Sequence, residues 1–249
     1  MKLFRESGNG MKVIYIYHSC FVVELEKCVI VFDYFKGSLP VFKRDKPVYF
    51  FVSHKHQDHF SMDIFGWSDS ACNVTYVLAN DIRLNARYLE QFGYGEQVLK
   101  QIVHVGKNAE TTIGEGLHIK TLKSTDEGVA FLIETQGVCL YHAGDLNWWH
   151  WEGESKEFNL YQEKTYHEQL QKISGKTIDL AFVPLDYRLG EAAEWGIIKF
   201  LEMTDAKVVF PMHLWERYDL IDDRLKYGRL SKYKERIMRV NKVNESWIL

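Results

Sequence analysis

The sequence predicts an α+β protein with two β-rich halves, laid out as a four-layer αββα sandwich with two sheets face to face and helices outside. Three observations lead there. Apolar runs of strand length recur through both halves, and helix-like segments follow them. No Pro-, Gly- or Ser-rich linker interrupts the 249 residues, which hold only four prolines, so one domain spanning 1–249 is expected. Several apolar runs stop at a histidine or an aspartate, as they would in a site built at the ends of sheet strands. A doubly wound sheet would leave a similar string of elements, so the pattern selects the class more firmly than the arrangement.

In chain order, residues 13–17, 21–25 and 29–32 read as strands, with Glu26-Lys27 as the turn between the last two. A loop with Gly37 and Pro40 leads to the all-apolar strand 48–52. A short helix near 62–65 and a strand at 74–78 follow. A helix is expected from 81 to 91, capped by Asn80 and stopped at Gly93. The second half offers strands at 101–105, 117–122, 129–134, 138–142, 178–183 and 208–210. Helices are expected at 156–173, ended by Gly175, and at 191–203, with a charged helical tail at 218–239.

Composition narrows the function. Apolar residues make up 46% and charged residues 26%, with a formal net charge of −3. Nucleic-acid binders usually carry a basic stripe, and none stands out, so nucleic acid is not the favoured partner. No apolar stretch approaches the roughly 20 residues that cross a bilayer. The first eleven residues lack a signal-peptide core. The cysteines, Cys20, Cys28, Cys72 and Cys139, are scattered without a C-x-x-C pair and read as reduced, buried thiols. A cytoplasmic protein acting on a small molecule is expected, of undetermined oligomeric state.

The strongest chemical signal is Ser53-His54-Lys55-His56-Gln57-Asp58-His59, which directly follows the strand 48–52. His54 and His56, two apart on a turning segment, can face one point, and Asp58 and His59 a second point nearby. Imidazole suits zinc, iron and manganese, and a carboxylate adds charge. Two ions roughly 3.5–4 Å apart can hold one hydroxide and lower its pKa toward neutrality. More ligands are needed, and three later segments qualify: Tyr141-His142-Ala143-Gly144-Asp145, Phe210-Pro211-Met212-His213, and the polar turn Ser124-Thr125-Asp126-Glu127-Gly128. Asp145 is placed to bridge two ions, with Gly144 easing close backbone approach.

An H-x-H-x-D-H motif after an apolar strand, then G-D, then P-M-H, resembles the metallo-β-lactamase fold superfamily. Within it the chain is most similar to the metal-dependent hydrolases related to L-ascorbate-6-phosphate lactonases. The resemblance runs from Phe21 to His213. It implies that His54 and His56 hold the first ion, that Asp58, His59 and His213 hold the second, and that Asp145 bridges. It also implies that Asp33, at the end of the opening strands, supports the histidine loop from behind, as a carboxylate does when it orients an imidazole. The family's middle histidine is missing here. Asp126 is the candidate in its place, and an oxygen ligand there shifts preference from zinc toward manganese or iron.

Other residues gather near these motifs. Trp148, Trp149 and Trp151 follow Asp145 and either wall a substrate pocket, with Trp148 the candidate, or pack in the core. His150 is a weaker candidate for a substrate contact, and His142 reads as a core or supporting histidine. Asp186 and Arg188 form an ion pair, or Arg188 binds an anionic group. The expected activity is hydrolysis of an ester, lactone, amide or phosphoester by a metal-activated hydroxide, with Asp58 orienting it and taking a proton. The cofactors expected are two divalent ions, zinc first, manganese or iron next. A phosphodiesterase or nuclease of the same superfamily is the alternative, as is a metal-binding protein with reduced catalysis.

Overall fold

A computed structural model describes residues 10–43, 45–68, 73–114 and 116–249. Cys72 lies outside the described residues. The chain divides into two compact units, one running to Val105 and including Lys242–Leu249, the other Gly106–Asn241. Each is built on one mixed sheet.

The first unit holds β1 (Lys12–Tyr17), β2 (Cys20–Glu24), β3 (Val29–Phe32), β4 (Val48–Val52), β5 (Val74–Ala79) and β6 (Ile102–Val105), with helices α1 (Ala86–Gln91) and α2 (Gln97–Lys100). The closing segment Ser246–Ile248 adds a further strand, antiparallel to β1. From that edge strand the order runs β1-β2-β3-β4-β5-β6. The first strands are antiparallel, whereas β3 to β6 run parallel. The continuous apolar character of β4, VYFFV, follows from that position, because a central parallel strand is buried on both faces. One face, with Val31, Phe50, Val52, Tyr76 and Leu78, packs on Ile64 and Phe65 of a 3-10 helix at Met62–Trp67 and on Leu89 and Val98.

Parallel neighbours end at the same edge of a sheet. Phe32 pairs with Phe51, so the residues leaving β3 and β4, Asp33 and Ser53, emerge side by side. The Asp33 N–H donates to the Phe51 carbonyl at 2.9 Å, and Asp33 itself is left-handed at φ 43°.

The second unit holds β7 (Glu110–Ile113), β8 (Leu117–Lys123), β9 (Val129–Thr135), β10 (Val138–His142), α3 (Lys156–Gln171), β11 (Thr177–Pro184), α4 (Trp195–Met203), β12 (Asp205–Met212) and α5 (Asp219–Tyr227). The sheet order is β12-β11-β10-β9-β8-β7. Strands β7 to β10 are antiparallel, whereas β10, β11 and β12 are parallel. His142 pairs with Phe182, which pairs with Phe210. The loops that carry Asp145, Asp186 and His213 therefore leave one edge of this sheet together.

Several boundaries differ from the sequence reading. The helix expected from 81 starts at Ala86, because Asn85 is the cap, its side chain accepting from Tyr88 N–H. Asn80 instead donates its N–H to the Val105 carbonyl, and the Asp81 carboxylate accepts from Lys55 N–H. The helix expected from 191 starts at Trp195, after a 3-10 segment kinked at Gly190 (φ 57°). The tail is helical only over α5 and a 3-10 turn at Arg229–Tyr233, and Ile237 then bridges Val209 in parallel. Strand β7, Glu-Thr-Thr-Ile, and the final strand are edge strands, too short and too polar to show the apolar run of a central strand. Among the described residues, no helix is long and apolar enough to cross a membrane.

Candidate metal centre

In the first unit the histidine loop hangs on one carboxylate. Asp33 is fully buried. It accepts the Ser53 N–H at 2.7 Å, the Ser53 hydroxyl at 2.6 Å and the His59 Nδ1–H at 2.7 Å. The Ser53 oxygen in turn lies 2.9 Å from His54 Nδ1. Since that hydroxyl donates to Asp33, it accepts from His54. One buried carboxylate thus sets the tautomer of His59 directly and of His54 through Ser53, leaving Nε2 as the ligand-type nitrogen in both rings. His54 Nε2 and His56 Nδ1 meet at 3.0 Å, converging on one point. The loop is closed by His59 N–H on the His56 carbonyl, 3.0 Å.

Asp58 serves a second point. Its Oδ2 lies 3.9 Å from His59 Nε2 and 3.5 Å from the Nε2 of His18, a residue the sequence reading passed over. His18, Asp58 and His59 each offer a ligand atom, and these atoms lie within 4.8 Å of one another. His18 occupies the two-residue turn between β1 and β2 at φ 54° and is 1% exposed. A turn there normally carries Gly, Asn or Asp, and a histidine between two apolar strands was the available signal.

In the second unit, His213 follows β12 at φ 63°. Its Nδ1 lies 2.8 Å from the Asp186 carboxylate and its Nε2 lies 3.6 Å from Asp145 Oδ1. Asp186, fully buried, also takes the Arg188 guanidinium, Nε at 3.0 and 2.9 Å from its two oxygens. Burial alone would raise the Asp186 carboxyl, but hydrogen bonds from His213 and Arg188 outweigh it and hold the group at about 2. The ion pair foreseen for Asp186 and Arg188 is therefore present, and its second bond, to His213, was not foreseen. Asp126 and Asp145 offer carboxylate oxygens within 4.8 Å of each other. Asp126 is exposed on its turn. That turn is tied to the chain after Asp145 by Thr125, whose hydroxyl donates to the Asn147 carbonyl at 2.7 Å. Gly144, left-handed at φ 51°, permits the sharp bend before Asp145, and its N–H donates to His142 Nδ1.

The tryptophans divide in a way the sequence did not anticipate. Trp148, the candidate pocket residue, packs on His167 of α3 at 4.8 Å and on Trp195 at 5.3 Å. Consecutive side chains leave the backbone on different sides, and it is Trp149 that reaches His213, 5.6 Å between rings, while its indole N–H donates to the Asp145 carbonyl. Trp149 stacks on Trp151 with the planes 6° apart. The Arg188 guanidinium lies over Trp151 at 5.6 Å and over Trp215 at 5.0 Å. His150 packs on Trp195 at 4.7 Å.

The distances fall into two groups. Nδ1–carboxylate pairs, at 2.7 and 2.8 Å, are hydrogen bonds. Nε2–carboxylate pairs, at 3.5, 3.6 and 3.9 Å, are too long for that. Ligands about 2.0–2.2 Å from a tetrahedral ion sit about 3.3–3.6 Å apart, close to this second group. The donor set, imidazole nitrogens with carboxylate oxygens, fits a divalent transition-metal ion.

Comparison with known proteins agrees with this chemistry. The family model described as beta-lactamase superfamily domain matches residues 12–159. A protein of Alkaliphilus metalliredigens named UPF0173 metal-dependent hydrolase is 27% identical over 218 residues, covering 82% of this chain and 85% of that protein. Igni18 of Ignicoccus hospitalis, described as a novel metallo hydrolase, superposes with a TM-score of 0.59 at 18% identity over 96% of this chain and 98% of its own. YhfI of Bacillus subtilis, described as a metallo-beta-lactamase fold protein, gives 0.60 at 13% identity over 97% and 100%. The chain has the metallo-β-lactamase fold and belongs to the beta-lactamase superfamily.

Proposed function

We propose that this member of the superfamily, a metal-dependent hydrolase, cleaves an ester, lactone, amide or phosphoester bond of a small molecule with the help of two divalent ions, zinc first, manganese or iron next. The ligands would be His54, His56 and Asp126 for one ion, Asp58, His59 and His213 for the other, and Asp145 for both. This assignment rests on motif order in the sequence, and residues 1–249 are proposed to act as one catalytic domain in the cytoplasm. The observation that carries the reading is the tautomer control at the histidine loop: Asp33 holds His59 Nδ1 and, through Ser53, His54 Nδ1. A buried carboxylate with that role is what ligand histidines require.

When bound, the ions supply a nucleophilic hydroxide near neutral pH and polarise the bond to be cleaved. The chain's own groups do the rest. Asp58, with its side chain 26% exposed, is proposed to take the proton of the attacking water on a carboxylate oxygen. Asp186 holds His213 in one tautomer, and Trp149 packs on its ring. Arg188, 40% exposed and framed by Trp151 and Trp215, is suited to a carboxylate or phosphate on the substrate beside an apolar portion.

A panel of esters, lactones, amides, phosphomonoesters and phosphodiesters tests the proposal. At least one class should turn over, lose activity on chelation and regain it with zinc or manganese. Loss of metal in His56→Ala with hydrolysis unchanged would overturn it.

A further inference from the structure

We infer that His18 is a metal ligand, adding a further imidazole to Asp58 and His59 at the second of the two ions proposed above. The inference rests on the hydrolase reading above and adds a residue that the motifs do not contain.

Position is the first argument. His18 is 1% exposed in a tight turn, and left-handed backbone at a residue with a bulky side chain costs of order 1–3 kcal/mol. The surroundings hold it there. Its N–H donates to the buried Tyr15 hydroxyl at 2.8 Å, and its ring stands edge-on to Phe35 at 6.1 Å and to His59 at 5.7 Å. A turn that favours glycine or asparagine but holds a buried imidazole points to a role for the ring.

Distance is the second argument. An imidazole that only paired with Asp58 would close to the 2.7–2.8 Å at which His59 meets Asp33 and His213 meets Asp186. His18 Nε2 stands instead at 3.5 Å from Asp58 Oδ2, in the group with His59 Nε2 at 3.9 Å. Both separations match the edge of a ligand tetrahedron around one ion better than a hydrogen bond. Imidazole nitrogens with a carboxylate oxygen are donors that suit a divalent transition-metal ion.

The test uses full-length protein, stripped of metal and reloaded with Zn2+ or Co2+. Affinity is measured by chelator competition, and bound imidazoles are counted by X-ray absorption. His18→Asn suits the left-handed turn while withdrawing the ring, and His18→Phe, which keeps ring volume, is the second variant should the first fail to fold. Loss of about tenfold or more in affinity and of one imidazole, with the circular dichroism of the metal-free chain unchanged, supports the inference. Wild-type affinity and imidazole count in the His18 variants, alongside loss in His59→Ala, overturn it and leave the hydrolase reading standing. Wild-type values in His59→Ala as well overturn both.

Discussion

Replacing Asp33 with asparagine changes one atom type at the centre of the histidine loop. The native carboxylate accepts from Ser53 N–H, Ser53 hydroxyl and His59 Nδ1–H. Asparagine keeps one acceptor for the Ser53 N–H and turns an amide NH2 toward the other two groups. Ser53 can rotate and accept instead. His59 cannot keep its proton on Nδ1 opposite a donor, so the ring switches tautomer and carries its proton on Nε2, where an ion would bind. A charge-assisted hydrogen bond is worth about 1.5–3 kcal/mol, and supporting carboxylates of this kind typically hold 10–100-fold of metal affinity. Asp33→Asn should therefore fold, with a lowered thermal midpoint, and bind metal about 10–100-fold more weakly by chelator competition. Asp33→Ala should be far worse. It leaves three buried donors without their acceptor at about 1–3 kcal/mol each, against a total stability of about 5–15 kcal/mol. Wild-type metal affinity in a folded Asp33→Asn would refute the tautomer argument.

Three further outcomes are expected. Arg188→Ala should raise KM about tenfold or more for substrates bearing a carboxylate or phosphate, while neutral analogues change little; an equal effect on both would remove the anion-binding role. Phe50→Ala should cost about 3–5 kcal/mol in denaturant unfolding, since the ring is 1% exposed and packs on Tyr76 and Trp67 at 5.5 and 5.8 Å; a loss under about 1 kcal/mol would contradict that packing. Burial pushes the Cys139 thiol up to about 11, with Lys176 opposing and Glu134 and Asp179 adding to the rise. Because the native value is raised, the neutral thiol is favoured below the unfolded value near 9, and this contribution is lost as pH climbs toward 11. Native Cys139 should resist alkylation at pH 8 and react as pH nears 11, and prompt alkylation at pH 8 would count against the burial.

The strands that carry the chemistry were legible because burial and reactivity alternate so sharply along the chain. An unbroken VYFFV leads straight into Ser53-His54, and the strands before Asp145 and His213 end the same way. Less legible were features decided by neighbours distant in sequence. Nothing local says that Asp186 faces His213, because that contact depends on β11 and β12 being adjacent and parallel. That Trp149 rather than Trp148 reaches His213 turns on which side of the backbone each ring leaves. Helix α1 starts at residue 86 rather than 81 because Asn85, not Asn80, supplies the capping oxygen. His18 escaped notice because its partners, Asp58 and His59, lie about forty residues away.

The proposed chemistry depends on metal bound through the loop His54 to His59. Elemental analysis of protein purified without added metal, compared with the His59→Ala protein, tests it most directly. Close to two divalent ions per wild-type chain are expected, with a clear loss in His59→Ala. A wild-type chain that binds no divalent ion, even after reloading, would contradict it.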